Sequence, residues 1–289
     1  MTKIKPFIFS LIISLQFIAV QQAVACPAGT ESLEKARQIW EQAIASLGGR
    51  ERILNIKNIL GYDKEKTTVS LDVLPDRSWW WSENGQPIGT DVKTYDFSKN
   101  LGYRIKKGDP DNFSYPLTGD SKERTLAGLL YTLLETKWIK PKLTGSDIIK
   151  IDGKEYDVVC TEVTYPDNQK SDKQITERHD YLFDRTTHLV FRNIRYFDKP
   201  TGSTDYTIEY SNYVDVKGIK FARYIRDKFS QDKHWSGKTE YVTDIDVDYR
   251  KDLFDKPPLI KDGPNGWMEK KPEEKKSHAK SGKPFNKNK

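Results

Sequence analysis

The first apolar stripe of the chain predicts an amphipathic helix from Glu31 to Leu47. Its members recur three or four residues apart: Leu33, Ala36, Trp40, Ala43 and Leu47. Gly48 and Gly49 follow this stripe and supply the left-handed backbone positions on which helices end. Residues 50–55 are expected to add one turn, after which the period of the pattern changes.

Beyond residue 66, apolar and polar residues alternate, which is the period of a half-buried strand. In "KTTVSLDVL", Val69, Leu71 and Val73 alternate with polar residues. Short turn sequences such as "IDGKE", "DRTT" and "DVKGI" separate about ten such strands, so neighbours should pair as antiparallel hairpins. That many strands do not stay flat. The expected fold is mainly β, a single strongly curved antiparallel sheet that forms an incomplete barrel.

One apolar segment interrupts the alternation and predicts a second helix, at 121–138. Five leucines form its stripe: Leu126, Leu129, Leu130, Leu133 and Leu134. With the N-terminal helix, it is expected to cover the concave side of the sheet. The space beneath it is either a filled core or an apolar cavity, and the pattern leaves both open.

Three tryptophans in "RSWWWSE" alternate across a strand, with Trp79 and Trp81 on one face and Trp80 on the other. They are interpreted either as core residues with one surface ring, or as aromatic residues at a cavity mouth. Together with the five leucines, they are the candidate ligand-binding residues.

The first 25 residues are typical of a signal peptide. Lys3 and Lys5 precede the 14-residue apolar run "FIFSLIISLQFIAV", and "AVA" at 23–25 is a cleavage site. Cys26 follows directly, so the site also resembles the lipobox of bacterial lipoproteins, and Cys26 has two alternatives. It forms a disulfide with Cys160, the other cysteine of the chain, or it carries a lipid and leaves Cys160 unpaired.

The excess of positive charge is concentrated at the ends of the chain. Residues 259–289 hold nine lysines against four acidic residues, and the signal peptide adds two lysines. Subtracting both from the total of +6 leaves residues 26–258 near −1. This distribution disfavours nucleic-acid binding. It predicts one folded domain at 26–258, followed by a disordered basic tail at 259–289.

Catalytic and metal motifs are not evident in the sequence. The chain has no Gly-x-Ser-x-Gly elbow and only four histidines. His179 and His188 flank the "FDRTT" hairpin, without a cysteine or a glutamate at ligand spacing, and a structural role is favoured for them. The aspartates of "TDIDVDY" lack the glycine and the distal glutamate of a calcium loop. No enzyme activity, cofactor or metal is predicted.

Several segments together resemble a known family. The helix ending in "LGG" after a signal peptide, "YLFDRTTHLVFR", "YSNYVDVKGIKFARYI" and "DLFDKPP" look like the LolA-like outer-membrane lipoprotein-sorting proteins, in an uncharacterised branch. The resemblance covers about residues 30–258, and Ala222 stands where many relatives have proline. It implies an exported half-barrel with helices as its lid, enclosing an apolar cavity that takes lipoprotein acyl chains in the best-known members.

These observations predict an exported, non-enzymatic binding or carrier protein of the bacterial cell envelope. Its expected partner is a lipid, a lipoprotein acyl chain or a similar apolar ligand, and the expected location is the periplasm. The mature chain is predicted to have no transmembrane segment. The alternative is a structural or protein-interaction module with a filled cavity, anchored to a membrane through a lipid on Cys26.

Overall fold

The computed structural model describes residues 26–27, 29–65, 67–73, 77–85, 89–96, 101–106, 113–116, 133–135, 140–166, 174–199, 202–254 and 260–268. The predicted signal peptide lies outside these residues. Two α-helices begin the fold, α1 (Thr30–Leu47) and α2 (Arg50–Asn55), and a 3-10 helix, Ile260–Asn265, lies near its end.

Within the described ranges, thirteen strands form one antiparallel sheet. In chain order they are β1 (Asn58–Asp63), β2 (Thr68–Val73), β3 (Arg77–Gly85), β4 (Gly89–Asp96), β5 (Leu101–Lys106), β6 (Phe113–Pro116), β7 (Lys142–Ile151), β8 (Lys154–Pro166), β9 (Gln174–Asp184), β10 (Val190–Lys199), β11 (Gly202–Val216), β12 (Ile219–Phe229) and β13 (Thr239–Ile245). Their spatial order is β6-β5-β4-β3-β2-β1-β13-β12-β11-β10-β9-β8-β7. Among the described strands, β6 and β7 are the two edges. The prediction of a mainly β fold with one sheet that stays open is confirmed.

Helix α1 packs on one face of this sheet, against β7, β8 and β12. Its buried side chains follow the predicted stripe and add two isoleucines: Ala36, Ile39, Trp40, Ala43, Ile44 and Leu47. The helix ends as predicted, because the backbone N–H of Gly48 bonds to Ala45 O and that of Gly49 to Ile44 O, with positive φ at both glycines. We call this side of the sheet the helix face.

Cross-strand partners show which side chains share a face, since directly paired residues point the same way. Ile59 packs in the cluster around α1, so its partner Asp72 and Ser78, the partner of Asp72, also lie on the helix face. Leu60, Leu71 and Trp79 form the neighbouring row, on the opposite face. That row is covered by the C-terminal segment, through Leu253 and Phe254.

Part of the predicted tail is described in the structure. The tail was expected to begin at residue 259, but residues 260–268 are folded. Trp267 packs against the cluster that contains Leu253 and Phe254, and the backbone N–H of Arg250 bonds to Trp267 O at 2.9 Å. The lysine-rich composition gave no signal for this segment, whose docking involves Trp267 and bonds between Arg250 and the backbone of 266–267. Residues 269–289 lie outside the described part.

A disulfide joins Cys26 to Cys160, with a Cα–Cα distance of 6.2 Å. It lies on the opposite face, in a cluster with Tyr156, Val158 and Leu182. Gly145, the partner of Cys160 on edge strand β7, allows the N-terminal segment to cross this edge, since a Cβ on it would stand 2.9 Å from Pro27 O. Of the two alternatives for Cys26, the structure contains the disulfide.

The predicted helix at 121–138 lies mostly outside the described residues. Leu133, Leu134 and Glu135 are described, and their backbone is a bend instead of a helix. Both leucines are buried in the cluster around α1. Two consecutive leucines can pack into one core from a bent backbone as well as from a helical stripe, so the apolar pattern did not distinguish the two.

Candidate functional site

Leu133 and Leu134, two of the predicted site residues, lie on the helix face beside α1. They are 5% and 3% exposed, respectively, and belong to the same cluster as Trp40 and Leu47. The other three predicted leucines, Leu126, Leu129 and Leu130, lie outside the described residues. Leu133 and Leu134 therefore lie on the same face of the sheet as α1.

Arg50 ties this segment to the junction of α1 and α2. Its guanidinium donates to Glu41 of α1 through two bonds of 2.8 Å. It also donates to Glu135 through bonds of 3.3 and 3.0 Å. The hydrogen bonds from Arg50 lower the pKa of Glu41. Arg50, the first residue after the double glycine, thus links α1 to the segment that contains Glu135.

Small side chains line the helix face on β1, β2 and β3. They are Gly61, Ser70, Ser78 and Ser82, as the pairings across these strands place them. Ser78 and Ser82 are only 2% and 4% exposed. Their burial shows that this part of the helix face is covered.

Asp72 lies among these small residues and is buried. The hydroxyl of Ser78 donates to its carboxyl at 2.7 Å. Burial raises the pKa of Asp72 to about 7, and the bond from Ser78 opposes burial only in part. This carboxyl therefore titrates near neutral pH.

The three tryptophans are divided between the two faces, as their alternation predicted. Trp79 and Trp81 are 2% and 5% exposed, in the cluster with Leu253 and Phe254 on the opposite face. Trp80 is half-buried on the helix face, with the ammonium of Lys93 at 4.5 Å from its ring centroid. Of the three, the structure brings only Trp80 to the side that carries Leu133 and Leu134.

A polar row on the helix face was missed in the sequence. Thr161 of β8, His179 of β9 and Arg195 of β10 are direct cross-strand partners. They are 0%, 2% and 8% exposed, respectively. The guanidinium of Arg195 donates to Asn193 Oδ1 at 3.2 Å. The signal was present in "TERHDYLF", in which polar residues fall on both faces of a central strand.

His179 lies at the centre of this row. Its Nε2 lies 3.3 Å from Glu177 Oε2, while Nδ1 is buried and has no hydrogen-bond partner among the described residues. Burial lowers the pKa of His179, which the Arg195 charge reinforces and Glu177 opposes. His188 is remote from this site, because it lies in the turn after Asp184, at the far end of β9.

The opposite face of the same strands carries a second buried polar group. Arg178 donates to both oxygens of Asp180 at 3.0 and 2.8 Å, and the hydroxyl of Tyr196 donates to Asp180 at 2.9 Å. Burial raises the pKa of Asp180 against these bonds. Asp180 is thus bonded within β9 by Arg178 and across to β10 by Tyr196, which indicates a structural role.

An open cavity of about 690 Å³ lies between α2, the β11–β12 hairpin and the end of β13. Its lining carries charges of both signs, including Arg52, Lys217 and Asp246. Lys217 pairs with Asp244 at 3.0 Å, and the carboxylate of Asp246 accepts a bond from the Lys57 backbone at 2.8 Å. These charges are engaged within the fold.

Within the described ranges, His, Cys, Asp and Glu do not come together in any group of three that could hold a metal ion. Over the same residues, no helix is both long and apolar enough to cross a membrane.

The fold defines a class, a single open antiparallel sheet with an N-terminal helix packed on one face. The chain is similar to solved structures that include a LolA superfamily protein from Nitrosomonas europaea, with 14% identity and a TM-score of 0.46 over 78% of this chain and 99% of that one. A putative outer membrane lipoprotein-sorting protein domain from Vibrio parahaemolyticus has 12% identity and a TM-score of 0.40 over 77% and 97%. A DUF1329 family protein from Desulfovibrio piger has 12% identity and a TM-score of 0.34 over 76% and 96%.

The first of these structures carries the superfamily name that the sequence segments resemble. No family model and no curated protein matches the chain. At such identities and TM-scores the similarity carries no argument about function, which is therefore argued from the residues of the chain itself.

Proposed function

We propose that this chain is an exported, non-enzymatic binding protein that holds a lipid, a lipoprotein acyl chain or a similar apolar ligand. The ligand lies on the helix face, beneath the segment 121–138. The observation that carries the proposal is the position of Leu133 and Leu134. The described end of the most apolar segment of the mature chain is buried on that face, next to α1.

The lining of the helix face supports a ligand in this place. Gly61, Ser70, Ser78 and Ser82 give a floor of small side chains, and Trp80 stands beside them as an amphipathic ring. The carboxyl of Asp72, with its raised pKa, carries less charge near neutral pH than an exposed aspartate does. A narrow apolar chain can lie on such a floor without opposing the full charge of Asp72.

Binding would be driven by burial of apolar surface. Each Å² removed from water contributes about 25 cal/mol, so one acyl chain supplies several kcal/mol. Release requires that the covering segment move away from the sheet. Arg50 restrains that movement, since it bonds Glu135 and Glu41 together.

The proposed location is the periplasm of a bacterial envelope. The sequence carries an export signal, and the disulfide between Cys26 and Cys160 suits an oxidising compartment. Because the sulfur of Cys26 is engaged in this bond, we propose a mature protein that is free of lipid at its N-terminus.

The test is ligand capture by the purified mature protein. Native mass spectrometry should show co-purified lipid, and the protein should shield a fluorescent fatty acid from water. Recovery of no lipid, together with no shielding, would overturn the proposal and favour the structural module with a filled cavity.

A matched pair of glycine substitutions places the site. Gly61→Leu puts a bulky side chain on the small-residue floor, where a Cβ meets only Ser70 Oγ at 3.3 Å. We expect it to weaken fatty-acid binding at least about tenfold while the fold persists. Gly237→Leu is the control, because a Cβ at Gly237 meets nothing within 4 Å. Equal affinity in both variants would argue against a ligand on this face.

A further inference from the structure

The helix face changes from apolar to polar along a single strand. On β9, the side chains of Phe183, Tyr181, His179 and Glu177 succeed one another on this face. The rings of Phe183 and Tyr181 lie 6.1 and 5.3 Å from Trp40 of α1, between centroids. The imidazole of His179 follows, 6.4 Å from the Tyr181 ring. A buried polar row therefore lies directly beside the aromatic cluster under α1.

The polar end of this gradient is enclosed. The side chain of His179 is 3% exposed and that of Glu177 is 14% exposed, and Thr161 is fully buried. Arg195 and Glu177 bring one charge of each sign to the row. The surroundings therefore favour a head without net charge.

The hydrogen-bonding state of His179 follows from its partners. The carboxylate of Glu177 can only accept, so the imidazole proton lies on Nε2, which is 3.3 Å from Glu177 Oε2. Burial lowers the pKa of His179 and keeps the ring neutral. Nδ1 therefore carries a lone pair, and it is a buried acceptor to which none of the described residues donates.

A buried hydrogen-bond acceptor without a donor lowers the stability of the fold. Most buried polar groups in folded proteins are paired, so an unpaired one requires an explanation. We propose that His179 Nδ1 accepts a hydrogen bond from an O–H or N–H group of the ligand. The ligand class is thus an amphiphile with an uncharged, donor-bearing head, such as an acylglycerol or a fatty amide. This inference rests on the proposed function and names the chemistry of the head that the site selects.

Covalent catalysis, in which the histidine activates a nucleophile of the protein, is another use of a histidine beside a carboxylate, and the local contacts argue against it. Such a dyad needs a nucleophilic hydroxyl or thiol at the free nitrogen. The hydroxyl of Thr161, its cross-strand neighbour, donates instead to the His179 backbone oxygen at 3.0 Å. Cys160 is held in the disulfide on the opposite face. The arrangement therefore suits binding of a head group.

The test compares two neutral probes with the same chain, oleamide and methyl oleate, by displacement of Nile red from the mature protein. Oleamide offers N–H donors and methyl oleate has none. We expect the wild-type protein to bind oleamide about tenfold more tightly, as one satisfied buried acceptor warrants. Equal affinities would overturn this inference and leave the proposed function standing. Binding of neither probe would overturn both.

Two variants assign that preference to Nδ1. His179→Leu keeps an apolar volume but removes the acceptor, and should bind both probes equally. His179→Asn places an amide oxygen near the Nδ1 position, and should keep the preference for oleamide. Oleate is the third probe, and its carboxylate can only accept hydrogen bonds. If the wild-type protein bound oleate more tightly than oleamide, the His179 ring would be a donor at Nδ1. That result would contradict its proposed role as an acceptor. A loss of preference in His179→Asn as large as in His179→Leu would also contradict it.

Discussion

The backbone of Gly48, at the end of α1, lies directly against the backbone of Gly218, in the turn between β11 and β12. A Cβ on Gly48 would overlap the Gly218 carbonyl oxygen and stand 3.1 Å from Ile219 Cα. Gly48 also has a φ of +129°. The first glycine of "LGG" is therefore required both by the helix end and by its contact with the sheet.

This contact predicts unequal effects for the two glycines. Gly48→Ala must displace the backbone of β12 and should lower the free energy of unfolding by about 3 kcal/mol or more. Gly49→Ala has a φ of +91° but nothing within 4 Å of the new Cβ, so it should cost only about 1 to 2 kcal/mol. Urea denaturation of both variants measures the difference. Equal losses would show that the close approach is unimportant.

Asp72 predicts a stability that depends on pH. Its pKa is raised from 3.8 to about 7 by burial. The unfolded chain releases this proton first, so the free energy of unfolding declines as the pH rises from about 4 to 7 and is then constant with respect to this group. A tenfold change in proton affinity corresponds to about 1.4 kcal/mol, so the total decline is about 4 kcal/mol.

Asp72→Asn removes that ionisation and is the variant to compare. Thermal unfolding at pH 4 should give similar Tm values for both proteins, whereas at pH 8 the variant should be the more stable. The difference between them isolates Asp72 from groups such as Asp184, whose pKa lies near 2 because hydrogen bonds from Lys154, Thr187 and Thr186 outweigh burial. A difference in Tm that does not vary with pH would refute the assignment.

The disulfide predicts a large stabilisation and an unmodified N-terminus. Cys26 and Cys160 are 134 residues apart in sequence, and closing a loop of that order contributes about 4 to 5 kcal/mol in the chain-entropy model. The double variant Cys26→Ser with Cys160→Ala should lose about that much in urea denaturation. A reducing agent should destabilise the wild-type protein and leave the variant unchanged.

Alkylation of the denatured mature protein tests the same bond chemically. Without reductant, iodoacetamide should add to neither cysteine. An acylated N-terminal peptide together with an alkylated Cys160 would show that the chain is a lipoprotein instead.

The ion pairs of Arg50 predict a local effect on the covering segment. Glu135→Gln removes the charge that Arg50 holds at 3.0 Å, and should increase deuterium uptake in peptides from 121–138. Because Arg50 is 40% exposed, the loss of overall stability should stay below about 1 kcal/mol. Glu34→Gln, which breaks the exposed pair with Arg37, is the control. Similar uptake in the two variants would mean that Glu135 does not restrain the segment.

Local patterns in the sequence determined most of the architecture. The helical stripe and the double glycine predicted α1 and its end, because both depend on residues that are neighbours along the chain. Alternation in "KTTVSLDVL" and "RSWWWSE" divided the side chains of β2 and β3 between two faces, since the period of a strand is fixed by its backbone. Short turns predicted antiparallel pairing, and the many strands predicted a single sheet that does not lie flat.

The tertiary structure decided which residues each face of the sheet brings together. Alternation showed that Trp79 and Trp80 point in opposite directions, but only the packing of Leu253 and Phe254 put Trp79 in a core and Trp80 on the helix face. His179, Thr161 and Arg195 come from three strands, and their meeting depends on register across the sheet. The choice between a disulfide and a lipid at Cys26 likewise depended on where Cys160 lies. Sequence periodicity reports which residues share a surface, whereas a site needs residues distant in sequence to meet on it, and that is set by pairing and packing.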